Sequence, residues 1–124
     1  MHEVMMTPAK IEDASKEFLA LVEVLDNAYW EASSIASKDR IYDVISVFQC
    51  EIAELNKLSI QDHGYPYEMV TEGVRQVSHK LHSMQTMVRD LVERTNTQLA
   101  LKRCLKKVIL IVDQQSSRLK PESS

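Results

Sequence analysis

Two histidines stand three residues apart in the stretch Val77-Ser-His-Lys-Leu-His-Ser-Met84, a spacing that puts both imidazoles on one side of a helix. Neutral imidazoles so placed can share a metal ion, and either ring can carry a proton. A metal site needs further ligands, however. His2 and His63 are distant in sequence, and the Glu-x-x-His pattern of di-iron bundles does not occur, so neither a metal nor another cofactor is expected. The carboxylates Asp26, Glu31, Glu51 and Glu54 are scattered as on a solvated helix face. Neither glycine belongs to a phosphate-binding loop, and no nucleophile, base and acid fall into a recognisable pattern. Cys50 and Cys104 have no C-x-x-C neighbour and read as reduced, mostly packed thiols. The residues therefore predict a protein that is not an enzyme.

The His79 stretch resembles the signature of histidine phosphotransfer domains, in which an exposed histidine on a four-helix bundle is followed by Leu at +2, Lys at +3 and Gly at +4. Leu81 matches the packing position, whereas His82 and Ser83 stand where that family has Lys and Gly. The resemblance implies, as an alternative function, a phosphocarrier with His79 as phosphoacceptor. On a helical wheel Val77, Leu81 and Met84 point inward and His79 points out, as phosphotransfer would require.

Residues suited to contact rather than catalysis are more numerous. The first helical segment carries Leu19, Val22, Val24, Tyr29 and Trp30 beyond its main apolar ladder, giving it a wider apolar face than one seam needs. Near the C-terminus Lys102 and Lys106, and Arg103 and Lys107, form two i, i+4 basic pairs before the apolar run Val-Ile-Leu-Ile-Val, 108–112. Leu19, Val22, Tyr29, Trp30, Lys102, Arg103, Lys106 and Lys107 are accordingly the expected partner-binding residues. The partners expected are other proteins engaged through helix–helix contacts, including a second copy of the chain. A membrane surface is a weaker match. Nucleic acid is not expected, because the chain is acidic overall and its basic patch lacks interleaved aromatics.

The elements that position these residues follow from apolar periodicity. Ile11, Ala14, Phe18, Leu21, Leu25, Ala28, Ala32 and Ile35 recur in steps of three and four; so do Ile41, Ile45, Phe48, Ile52 and Leu55, and then Val70, Val74, Val77, Leu81, Met84, Val88 and Leu91. Thr7 and Pro8 signal the start of a first helix of about 40 Å running to about Ser34. Ser37 and Asp39 are candidate caps for the second, which ends before Gln-Asp-His-Gly-Tyr-Pro, 61–66, with Gly64 at a left-handed position. A third helix is predicted from near Pro66 to about Glu93, containing Gly73, and a fourth after a cap at Thr95 or Asn96. The fold class expected is all-α, an antiparallel four-helix bundle. The alternative is three helices with a long continuous C-terminal helix forming a coiled-coil dimer.

The chain has 124 residues, 44% of them apolar and 27% charged, enough for one buried core without staples. Its net charge of −3 divides unevenly: residues 1–62 carry 12 acids and 5 bases, residues 63–124 carry 6 acids and 10 bases. No secretory signal is visible at the N-terminus and the longest apolar run is far short of a membrane span, so a cytoplasmic, soluble protein is the expectation. The predicted organisation is a flexible segment 1–6, a helical bundle 7–114 and a disordered tail 115–124. The function expected is a non-enzymatic interaction module or small adaptor subunit of a larger intracellular complex. The alternatives are the His79 phosphocarrier and a self-assembling coiled-coil scaffold.

Overall fold

The computed structural model describes residues 9–119, the last four as helical backbone only. These residues are all-α: α1 (Ile11–Glu31), α2 (Ile35–Leu55), a 3-10 turn (Ile60–Gly64), α3 (Glu72–Arg75), α4 (Ser78–Thr86), α5 (Val88–Leu91) and α6 (Thr95–Leu119). Helix α1 begins at Ile11, not at the Thr7–Pro8 start expected, since Ala9 and Lys10 are not helical; Thr7 and Pro8 themselves, the segment 1–6 and the end of the expected tail lie outside the described residues.

The first turn of α1 is closed from a distance rather than by its own cap. Lys10 makes no side-chain capping bond; instead the Ile11 N–H donates to the Tyr65 carbonyl at 2.8 Å, and the Tyr67 N–H donates to the Ala9 carbonyl at 2.8 Å. A free helical N–H thus finds its acceptor in the 65–67 segment. At the other end of α1, Lys38 Nζ donates to the Tyr29 carbonyl at 2.7 Å, supplying the cation that the last turn of α1 lacks. The cap of α2 is Ser34, whose Oγ accepts from Ser37 N–H at 3.1 Å. The helix consequently starts three residues earlier than Ser37, and five earlier than Asp39, would set it, and Ile35, a predicted rung, is 78% exposed.

The largest departure from expectation is the third helix. Residues 65–71 are not helical: Tyr67 and Met69 are buried while Glu68 and Val70 face outward, the alternation of an extended chain. Gly64 does not adopt positive φ, because a 3-10 turn capped by Ser59, not a left-handed residue, reverses the chain there. Helix resumes only at Glu72, behind the cap Thr71, whose Oγ1 accepts from Val74 N–H, and it is broken again around Gln76 and at Met87. At these breaks the bonds tighten to the i−3 pattern, as in Gln76 N–H to Gly73 O and Met87 N–H to Met84 O. The tightening preserves phase, so Val74, Val77, Leu81, Met84, Val88 and Leu91 are all buried despite the breaks.

The chain turns at residues 92–94 and α6 folds back, packing on α1, α4 and α5. Gln98 Nε2 donates to the Val92 carbonyl at 2.7 Å and the Glu93 carbonyl at 3.3 Å, satisfying acceptors in that turn. This excludes the continuous third and fourth helix of the coiled-coil alternative within the chain. Helix α6 also runs past Gln114 to Leu119, with Gln115 buried and its Oε1 accepting from Met69 N–H at 3.3 Å, where sequence composition suggests a frayed tail. The core centres on Phe18, whose ring lies 4.9 Å from that of Phe48 and 5.3 Å, edge-on, from that of Tyr67.

Candidate functional site

Glu51 is fully buried, not on the solvated face to which its sequence context assigns it. Its carboxylate accepts from the Tyr67 hydroxyl at 2.6 Å, the Val70 N–H at 2.8 Å, the Thr71 N–H at 2.8 Å and the Thr71 hydroxyl at 2.7 Å. Four donors around one carboxylate occupy its lone pairs. It holds the extended 67–71 segment against α2 and leaves no lone direction for a substrate. Burial, and then the hydrogen bond to Glu51, push the Tyr67 phenol far above its ordinary range. The node is structural.

Ser78, His82 and Asp113 also come together, and here the geometry decides the role. Ser78 Oγ donates to Asp113 Oδ1 at 2.6 Å and His82 Nε2 lies 2.7 Å from Asp113 Oδ2. In a nucleophilic triad the serine would bond the imidazole; here both side chains bond the same carboxylate, so the imidazole does not face the hydroxyl. The cluster ties α4 to α6.

His79 is exposed, as its wheel position predicts, and lines a groove of about 240 Å3 between α2 and the α4–α5 segment. The floor is Val44, Met84 and Leu91. Of the cations at its rim, Lys80 is paired with Asp43 at 2.6 Å and Arg40 Nη1 points to Met87 Sδ at 2.8 Å. His82, which stands at the position of the phosphotransfer lysine, is held by Asp113 on the α6 side. Among the described residues no group of three or more His, Cys, Asp or Glu is placed to hold a metal ion. No helix among them is long and apolar enough to cross a membrane.

The remaining surface feature is aromatic. Trp30, at the end of α1, is 73% exposed; Ile35, at the start of α2, and Tyr42, 60% exposed one turn further along α2 from Lys38, lie on the same end of the molecule. Tyr29 is half-buried against the core and organises them: its ring meets Trp30 edge-on at 5.3 Å and Tyr42 at 6.4 Å. Lys38 Nζ lies 4.7 Å from the Tyr29 ring centre and 5.7 Å from that of Trp30, so the cation that closes α1 also fixes the aromatic rings.

Of the predicted contact residues, Leu19 and Trp30 are exposed, Tyr29 is a support beneath Trp30, and Lys102, Arg103, Lys106 and Lys107 are exposed along α6. Val22 is a correction: it faces inward and joins the core, because α1 presents a broad face to both α2 and α6. Cys50 is likewise exposed rather than packed, and Cys104 is half-buried; both are free thiols. Sequence reasoning missed Ile35 and Tyr42 as surface residues. A signal existed for Ile35, since Ser34 directly precedes it and a capping serine leaves the next residue at an open first turn.

No family model matches the chain, and neither a curated protein nor a solved structure matches it.

Proposed function

We propose that this chain is a non-enzymatic interaction module, a small adaptor subunit of a larger assembly within the cell, which engages its partner through the outward side of α1 and the α1–α2 turn. The observation that carries the reading is the exposure of Trp30 beside Ile35 and Tyr42. An indole, a phenol and a branched aliphatic side chain left in water at one end of a molecule, with Lys38 over the indole, have the composition of a binding hot spot. The clusters around Glu51 and Asp113 are by contrast satisfied by their own neighbours, which argues for structure rather than turnover at both.

The phosphocarrier alternative rests on the exposure of His79 alone, since Lys80 and His82 are already engaged with Asp43 and Asp113.

A photo-crosslinking residue at position 30, compared with one at Arg89 on α5, tests the proposal in cells. Adducts that form from position 30 and are competed by wild-type chain support it. Equal labelling from both positions, or none from position 30, counts against this face.

A further inference from the structure

The outward stripe of α1 and the outward stripe of α6 are complements of one another. On α1, Leu19, Glu23, Asp26 and Trp30 are exposed and follow in steps of four, three and four. On α6, Leu99, Arg103, Lys106 and Leu110 are exposed and follow in the same steps. Each stripe has an apolar residue at both ends and two like charges between them, acidic on α1 and basic on α6. None of the four charges has an ionic partner among the described residues. Both stripes span about 16 Å, eleven steps along the helix at about 1.5 Å each.

Within the chain α1 and α6 run antiparallel, with Thr97 Oγ1 donating to Glu31 Oε2 at 2.9 Å. In an antiparallel pairing of the two stripes Trp30 matches Leu99, Asp26 matches Arg103, Glu23 matches Lys106 and Leu19 matches Leu110. The stripes nevertheless do not meet in one molecule. The edge of α1 that faces α6 carries Glu31, and the edge that faces α2 carries Tyr29. The edge of α6 that faces α1 carries Thr97, and the edge that faces α4 carries Asp113. At about 100° per residue the acidic stripe lies outside the Tyr29 edge and the basic stripe outside the Asp113 edge, on opposite faces of the bundle.

We propose that the partner of the α1 stripe is the α6 stripe of a second copy of this chain, so that molecules associate head to tail. This rests on the proposed function, whose contact surface it occupies. Stacking one bundle on the next in the same orientation sets Trp30 against Leu99, Asp26 against Arg103, Glu23 against Lys106 and Leu19 against Leu110, an antiparallel helix pair with apolar ends and a charged middle. The contact is heterologous and does not close, so the assembly is an open row rather than a symmetric dimer. A single pair of three-turn helices is a small interface, and the association is weak and concentration-dependent.

Sedimentation of the full chain across a wide concentration range at low salt tests this. The expected result is a mean mass that rises continuously with concentration and falls back when salt is added. The double variant Glu23→Lys/Asp26→Lys and the double variant Arg103→Glu/Lys106→Glu should each lose association while retaining wild-type circular dichroism. Mixing the two should restore it, because each supplies the face that the other lacks, and all four changes in one chain should restore it as well. A wild-type chain that remains monomeric, a mass that stops at a dimer, or association indifferent to the reversals overturns the proposal. A monomer that still forms competed crosslinks from position 30 with another protein would overturn the self-pairing and leave the proposed function standing.

Discussion

The Tyr67 hydroxyl donates to the buried Glu51 carboxylate at 2.6 Å, and through that bond an extended segment is fastened to α2 where helical periodicity would have continued α3 backward to Pro66. The same segment offers the Tyr65 carbonyl to the first N–H of α1. One buried carboxylate therefore fixes the path of residues 65–71, and that path closes the open end of the bundle.

Glu51→Gln should destabilise the protein by about 1–3 kcal/mol, because the amide puts an N–H2 where two donors already point. Tyr67→Phe should cost about 1 kcal/mol, since the carboxylate keeps three donors when the phenol is removed. Denaturant unfolding followed by circular dichroism measures both. A Glu51→Gln loss no larger than that of Tyr67→Phe would contradict the four-donor arrangement.

Stability should also fall above about pH 10. Tyr67 ionises near its ordinary value of 10.0 in the unfolded chain, but its folded pKa is raised far higher by burial and by Glu51. Its contribution is therefore fully present below the unfolded pKa and declines as pH rises above it, where only the unfolded phenol has lost its proton. Midpoints measured between pH 8 and pH 11 should decline less steeply in Tyr67→Phe than in wild type.

Gly73→Ala should be tolerated or stabilising by up to about 1 kcal/mol, as a helical alanine loses less chain entropy than glycine. A methyl group built at Gly73 meets Val47 Cγ1 and Cγ2 at 3.6 Å, an ordinary contact, so the glycine is not required by a close helix approach. Thermal unfolding of the variant checks this. A lowered midpoint would show that the approach is tighter.

The two thiols should react at different rates. Burial, and then the negative charge of Glu17, raise the pKa of Cys104, so less of it is thiolate at neutral pH; Cys50 is exposed on α2. Mass spectrometry after brief alkylation should find Cys50 modified first, and the difference should vanish in denaturant.

Apolar periodicity alone placed α1, α2 and the buried rungs from Val74 to Leu91, because a core selects positions by phase and tolerates short breaks between them. It did not reveal those breaks. Nothing local distinguishes Tyr67-Glu-Met-Val from the start of a helix until Glu51, sixteen residues earlier, is known to be inside, and that long-range hydrogen bonding leaves no periodic trace. The contact surface was legible in part. Leu19 and Trp30 lie off the ladder and are exposed, whereas Val22 lies off the ladder and is buried, since a helix with two neighbours buries more than one seam. The pairing of charges across two faces could be read only once Thr97 and Glu31 had shown α1 and α6 to run antiparallel side by side.

Trp30 is the single tryptophan of the chain and sits on the proposed binding surface of α1, so its fluorescence reports directly on that surface. Acrylamide quenching across a dilution series is the decisive measurement. Head-to-tail association predicts free quenching in dilute solution and a blue-shifted, protected indole at high concentration, with the protection lost in Arg103→Glu/Lys106→Glu, which alters no residue near Trp30 in its own chain. Quenching that is the same at every concentration, or protection that survives the α6 charge reversal, would contradict it.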